Sequence, residues 1–283
     1  MYPMPLEKCS PAVRWLYRLA LPLALFLWLL PLLAVMLTSL RSIADINAGN
    51  YWGWPSELKG WDNYQQIFIG TPMLRYLGNT LLIVVPSVLG CLVVASLAGF
   101  ALARYHFRGR LLLFAMFIAG NFVPFQILMI PVRDLSLRFG LYDTTLGLVL
   151  FHVAFQTGFC TLFLRNFIVL LPESLMEAAR VEGAREWTIF YRIVLPLIRP
   201  ALAAVAVLVF TFVWNDFFWS LILVQSDEVR PVTAGLNALR GQWLASWQLI
   251  SAGSIVAALP PVFLFFLMQR HFVTGLTLGA NKG

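Results

Sequence analysis

Residues 177–183 read Glu-Ala-Ala-Arg-Val-Glu-Gly, and nine residues separate Gly183 from a second block, Ile193-Val194-Leu195-Pro196. This is a charged island in an otherwise apolar chain. Pro172-Glu173-Ser174 suits a helix start, and Ser174 with Glu177 fits a capping box, the serine taking a backbone N–H and the glutamate reaching back. The helix is expected to run about nine residues to Gly183, which can end it. Leu175, Ala178 and Ala179 fall on one face, with small side chains that let another surface approach. Beyond the glycine, Trp187, Phe190, Tyr191 and Val194 recur at the i, i+3, i+4, i+7 spacing of an apolar stripe. Leu195-Pro196 ends or kinks that second helix. Two short helices hinged at a glycine make an elbow. It can dock a soluble partner, or it can lie as two amphipathic helices on lipid headgroups.

Outward from the island the chain is greasy. Of its 283 residues 60% are hydrophobic and 12% charged, with mean hydropathy +0.80. A soluble domain carries about 25% charged residues, so the class is an all-α integral membrane protein. A bilayer-crossing helix needs ~20 mostly apolar residues. Runs that meet this cover about 19–40, 76–103, 111–132, 144–164, 201–226 and 250–269, six spans in a single transmembrane domain over 1–283. The first exceeds the 7–15 apolar residues of a signal-peptide core and is followed by no small-residue cleavage site, so it reads as a retained anchor. The loop between the fourth and fifth spans, about 166–200, holds the elbow.

Thirteen of the twenty Lys and Arg fall in segments that are cytoplasmic if the N-terminus is inside. That bias places both ends and the elbow in the cytoplasm, and it accounts for the +7 charge without nucleic acid. Trp52, Trp54 and Trp61 in the first outer loop suit the membrane–water interface. Pro22, Pro31, Pro86 and Pro124 lie inside spans, as helical kinks or as ordinary irregular packing. Cys9, Cys91 and Cys160 have no metal or redox spacing and read as small buried hydrophobes.

Asp216 interrupts the fifth span. An intramembrane carboxylate is costly and faces a cavity or a partner. With Trp214 and Asn215 it can line a pathway, the indole stacking on a sugar face and the polar groups bonding hydroxyls. Equally, Asn215 and Asp216 can hydrogen-bond neighbouring helices and cap a gate. Asn79 and Gln126 are weaker candidates of the same kind. A secondary carrier would show internal repeats and ion-coupling charges, but no clear repeat is visible and Asp216 is the one acidic residue within a span. A membrane enzyme would need a cluster, yet His106, His152 and His271 are scattered. No G-x-x-x-x-G-K-[ST] phosphate loop occurs, so ATP hydrolysis by that route is excluded.

The order Glu177-Ala178-Ala179, Gly183, Ile193, Leu195-Pro196 resembles the EAA loop of bacterial ABC importer permeases. Further blocks resemble the carbohydrate branch, and specifically the smaller permease of maltose-type and glycerol-phosphate-type systems. They are Asn63-Tyr64, Tyr76-Leu77-Gly78-Asn79-Thr80, Ala101-Leu102-Ala103-Arg104-Tyr105 with Phe107-Arg108-Gly109-Arg110, Trp214-Asn215-Asp216 and the ending Gly275–Gly283. Asn79-Thr80 stands where Asn-Ser is usual, and Val181-Glu182-Gly183 where Ile-Asp-Gly or Val-Asp-Gly is usual. The resemblance implies a six-helix type I permease fold in the bacterial inner membrane, with no enzymatic centre and no cofactor of its own. It implies a second permease, an extracytoplasmic solute-binding protein and a cytoplasmic ATPase pair that binds the ATP and Mg. The elbow would enter a cleft on the ATPase. There Glu177 meets a basic group, Ala178 and Ala179 permit close packing, Gly183 sets the bend, and Ile193, Leu195 and Pro196 complete the second arm. The tail would reach the ATPase pair or be a free end. Sugars and glycerol phosphates both remain open as substrates.

Overall fold

The computed structural model describes residues 10–240 and 246–277, with side chains to residue 269. Lys8, Cys9, the start of the last apolar stretch at Gly241, and the tail beyond 277 lie outside the described residues. Every regular element among those described is helical. The chain divides into two units, 1–71 with 239–256 and 72–238 with 257–283.

In the first unit α1 (Pro11–Ser39) starts earlier than the apolar run, because the Ser10 hydroxyl accepts the Val13 N–H at its first turn. Pro22 and Pro31 sit within the continuous helix. Two short helices follow, α2 (Ile43–Asn47) and α3 (Gly60–Ile69). Asn63 fixes the end of α1 by donating to the carbonyls of Ser39 and Arg41, both at 2.9 Å, and the Tyr64 hydroxyl meets that of Ser39 at 3.2 Å. Arg41 is fully buried and donates to the carbonyls of Tyr51 and Gly53. Trp52, Trp54 and Trp61 are all more than 70% exposed, as interfacial tryptophans require.

The second unit is built on α4 (Met73–Arg104), α5 (Arg110–Gly120), α6 (Met129–Arg138) and α7 (Thr145–Val169). Helix α4 buries Thr80, Val84, Ser87, Cys91, Ala95 and Gly99, a stripe of mostly small residues three and four apart. Small residues let membrane helices approach closely. A Cβ on Gly90 would press on Val153, and one on Gly99 would come within 3.1 Å of the Arg165 backbone. Both positions advance together along the two helices, so α4 and α7 pack in parallel. Cys91 and Cys160 are buried and free.

The elbow comprises α8 (Glu173–Val181), α9 (Glu186–Ile189), a π-turn over Phe190–Val194 and α10 (Leu195–Leu197). Then come α11 (Arg199–Trp214), α12 (Phe218–Leu223), α13 (Val232–Ala238) and α14 (Trp247–Thr277). Among the described residues four helices (α1, α4, α7, α14) are long and apolar enough to cross a membrane. Two expected spans are broken. The third, 111–132, stops at Gly120, and the next helical stretch leaves at 96°. Pro124, which disfavours the helical conformation at the residue before it, closes the break that follows Gly120. The fifth, 201–226, stops at Trp214. At ~1.5 Å per residue α11 falls short of a ~30 Å hydrocarbon core, and α12 resumes beyond the break.

At the end of α4 remote from Arg104, the Tyr76–Thr80 block grips the segment before α13. The Tyr76 hydroxyl donates to Asp227 at 2.8 Å, and Asn79 donates to the carbonyls of Glu228 and Arg230 at 2.9 and 3.0 Å. The Thr80 hydroxyl accepts the Val232 N–H, and Gly235 lies flat on the Tyr76 ring. Asn79 thus serves packing. Asp143, at φ 56°, accepts the N–H groups of Gln225 and Ser226. Burial works against its charge, but those two donors outweigh it and hold its carboxyl below the usual range.

Candidate functional site

Two places carry chemistry, the elbow and the break between α11 and α12. In the elbow, α8 has the expected nine residues, but the capping box does not form. Pro172 occupies the N-cap position with no side-chain hydrogen bond, and Ser174 is already inside the helix. Its hydroxyl therefore cannot serve a donor that the helix itself has placed behind it. The C-terminus follows the sequence. The Gly183 N–H bonds the Arg180 carbonyl and the Ala184 N–H bonds that of Ala179, both at 2.9 Å, a Schellman closure. Gly183 has φ +83°, and nothing crowds its Cβ position, so conformation alone demands glycine. Gly183→Val should open the elbow, because a β-branched residue there costs ~1–3 kcal/mol. The check is faster tryptic cleavage at Arg180 and Arg185, with Gly183→Asn staying close to wild type.

The two faces of α8 differ from expectation. Met176 is buried, and half-buried Ala179 lies beside it on the inner face. Leu175, Ala178 and Val181 are exposed at three-residue spacing, Val181 at 89%. Glu177 is exposed next to them and has no ion-pair partner among the described residues. In the second arm the helical stripe gives way. Pro196 offers no N–H to the Arg192 carbonyl, and the π-turn before it absorbs the mismatch. That shifts the buried set to Ile189, Phe190 and Val194 and leaves Trp187 and Tyr191 outside. Ile193, Leu195 and Pro196 are half-buried.

Three polar residues that the sequence reading did not single out hold the elbow in place. Arg180 bonds Glu186 across the glycine through two N–H groups, at 2.7 and 3.3 Å. The Tyr105 hydroxyl donates to the same carboxylate at 2.7 Å. The Arg180 bond holds the Glu186 carboxyl below its ordinary range, with help from Tyr105, and burial with the Glu186 contact pushes Tyr105 up to about 12. The network therefore keeps its charges across physiological pH. Beside it, Arg104 donates to the carbonyls of Ile168 and Leu171 at the end of α7, at 2.5 and 2.7 Å. Phe100 packs on Phe190 and on Tyr105. The end of α4 is thus joined to the elbow and to α7 at once. The only signal was the Ala101–Tyr105 block itself, whose partners lie 64 to 81 residues away.

At the break, the three candidate residues separate. Trp214 is buried, and its indole N–H donates to the Ala257 carbonyl at 3.0 Å. Pro261, four residues on, cannot use that carbonyl, so the indole satisfies it. Its expected stacking on a solute is corrected accordingly: the ring is committed to α14. Asp216 accepts the backbone N–H groups of Trp219 and Ser220 and the Ser220 hydroxyl, which starts α12. Its carboxylate also lies 3.7 Å from His152 Nε2. Asn215 is exposed and donates to the Thr211 carbonyl. Both line a cavity of about 740 Å³ with His152, Gln156 and several aromatic rings. Asp216 thus both caps α12 and lines this cavity. Gln126 does not line that cavity; its neighbour Phe125 does.

Residues 92–277 match the family described as "Binding-protein-dependent transport system inner membrane component". The arabinooligosaccharides transport system permease protein AraQ of Halalkalibacterium halodurans is 34% identical over 98% of this chain and 99% of its own. The osmoprotective compounds uptake permease protein GgtD of Synechocystis sp. is 36% identical over 91% of this chain and 88% of its own. The fold is similar to a bacterial ABC transporter involved in the import of the acidic polysaccharide alginate. There the TM-score is 0.79 at 21% identity, with 96% of this chain and 100% of that one covered.

Proposed function

The chain belongs to the family of binding-protein-dependent transport system inner membrane components, and from that premise we propose that it moves carbohydrate, driven through the elbow by a partner ATPase. The carbohydrate class is supported by the relatives and by the sequence blocks shared with sugar permeases. The family's description as binding-protein-dependent supports a solute-binding protein as partner, which this reading places outside the membrane. The further partners are a second permease, which completes the pathway, and a cytoplasmic ATPase pair, which supplies ATP and Mg. Both ends of the chain lie in the cytoplasm with the elbow.

One observation carries the coupling role. The elbow presents an apolar face (Leu175, Ala178, Val181) with a free carboxylate, Glu177, outside a core held by Met176 and the Arg180–Glu186–Tyr105 network. Exposed apolar residues around an unpaired charge are what a docking surface offers to a cleft. A cleft that closes when ATP binds displaces α8. The polar network passes that displacement to the end of α4, and α4 moves with α7 because their small residues interlock. Gly183 keeps the arms at a fixed angle, so the elbow moves as one piece.

Affinity purification of the tagged chain in mild detergent, with mass spectrometry of what accompanies it, tests the assembly. An ATPase and a second permease are expected. A chain recovered alone, and still transporting when reconstituted alone, would replace this reading with a self-sufficient carrier.

A further inference from the structure

We propose that the cavity floored by His152 and Asp216 is a subsite at which this chain itself holds a neutral sugar during passage. The inference rests on the carbohydrate-importer reading above and adds both the contact and the charge class.

The size fits first. About 740 Å³ lies within the ~300–1,000 Å³ of small-molecule sites. The lining has the composition of such sites, apolar walls with a few convergent polar groups. Phe155 and Phe217 are each about two-fifths exposed and face the cavity with Phe218 and Trp219. Such rings suit the C–H face of a pyranose or furanose. Gln156 stands one helical turn from His152 on α7, and Asn215 completes the polar side.

The floor has capacity left. A carboxylate offers about four lone-pair sites. Asp216 uses three, two for Ser220 and one for the Trp219 N–H at 3.3 Å. The spare site is on Oδ1, since both Ser220 bonds go to Oδ2. His152 Nε2 lies 3.7 Å from Oδ2, too far for a direct hydrogen bond, so the imidazole stands as a second polar group on the same floor.

Charge then selects the class. The ionisable lining groups are His152 and Asp216. With the histidine neutral the lining carries one negative charge, and with it protonated the lining is neutral. It is positive in neither state. A uronate or sugar phosphate would be buried beside a carboxylate with no net positive charge in the lining to offset its own, which low-dielectric surroundings penalise heavily. A polyhydroxylated neutral solute meets no such barrier. The likeness to an alginate importer concerns the fold and does not oppose this.

The test uses the assembled importer in nanodiscs and diazirine-bearing neutral glycosides (glucoside, galactoside and arabinoside), with a matched glucuronide. At least one neutral probe should label peptides spanning 152–156 and 211–219, and excess unmodified glycoside should remove the label. The glucuronide should label them roughly tenfold more weakly. Phe217→Ala should weaken the label severalfold while the subunits still co-elute. Equal labelling by the glucuronide, or no displaceable label from any neutral probe, would overturn the proposal. Uptake into proteoliposomes separates the two readings. Carbohydrate uptake without displaceable label removes the subsite alone, and absence of carbohydrate uptake removes both.

Discussion

Glu177→Lys leaves the chain inserted and folded but cuts ATP-driven uptake by roughly 10- to 100-fold, the size expected when one side of an interfacial charge pair is reversed. The fold should be indifferent. Glu177 is exposed, lies beyond the first turn of α8 where the helix dipole acts, and has no ion-pair partner among the described residues. Lysine has nearly the same helix propensity, so the stability change should stay within about 0.5 kcal/mol. Like-charge repulsion arises only if a basic group on the ATPase faces this position. Glu177→Gln, which removes the charge without reversing it, should fall between. The measurement is uptake per assembled complex in proteoliposomes, with ATP hydrolysis followed in parallel. Hydrolysis that persists while uptake falls means the two are uncoupled. Normal uptake by the lysine variant would exclude a coupling role for this carboxylate.

What the sequence disclosed about the elbow was its local chemistry. Gly183 announces a helix end because a single left-handed residue closes the turn, and that information is contained in neighbouring residues. The Arg180–Glu186 bond is six residues long but depends on the angle that Gly183 creates, so helical spacing rules do not find it. Tyr105 is 81 residues from Glu186, and nothing local pairs them. The membrane class was legible because long apolar runs have few alternatives. Where those runs actually break was less so. Pro124 sat in plain view, but the apolar residues around it concealed a 96° turn, since hydropathy reports environment rather than direction. Trp214 illustrates the same limit. Beside Asn215 and Asp216 it looked like part of a pathway. Its indole in fact answers to Ala257, whose carbonyl is released by a proline on another helix. Asp216 was conspicuous as an intramembrane carboxylate, while His152, the group that faces it, lay in a different span with no mark of its role.

The second large effect is expected at Arg104, where the failure would be structural. Its guanidinium makes two charge-assisted bonds to the carbonyls of Ile168 and Leu171 at the end of α7, where Ile168 also accepts the Leu171 N–H at 3.2 Å. Hydrogen bonds from a charged group contribute ~1.5–3 kcal/mol each, and removing the donor strands the Leu171 carbonyl while Ile168 keeps its backbone bond, so Arg104→Ala should cost about 3 kcal/mol. The loss is local to one end of the bundle. It should free the end of α7 first and then the elbow, because Tyr105 is the next residue along and loses its fixed approach to Glu186. The purified chain in detergent should therefore melt at a lower temperature and be cut faster by trypsin at Arg180 and Arg185. Both bonds leave one terminal nitrogen, so the Arg104→Lys ammonium has donors enough for them, but its stem is shorter and it should recover only part of the loss. Tyr105→Phe provides the contrast. It removes one hydroxyl and keeps the ring on Phe100, so melting should barely change while uptake falls severalfold. If Arg104→Ala melts with the wild type, the bonds at the end of α7 are not what fixes the elbow. If Tyr105→Phe transports normally, the movement of α8 reaches α4 by packing alone, through Phe190 and Phe100, and the polar network serves only to hold the resting geometry.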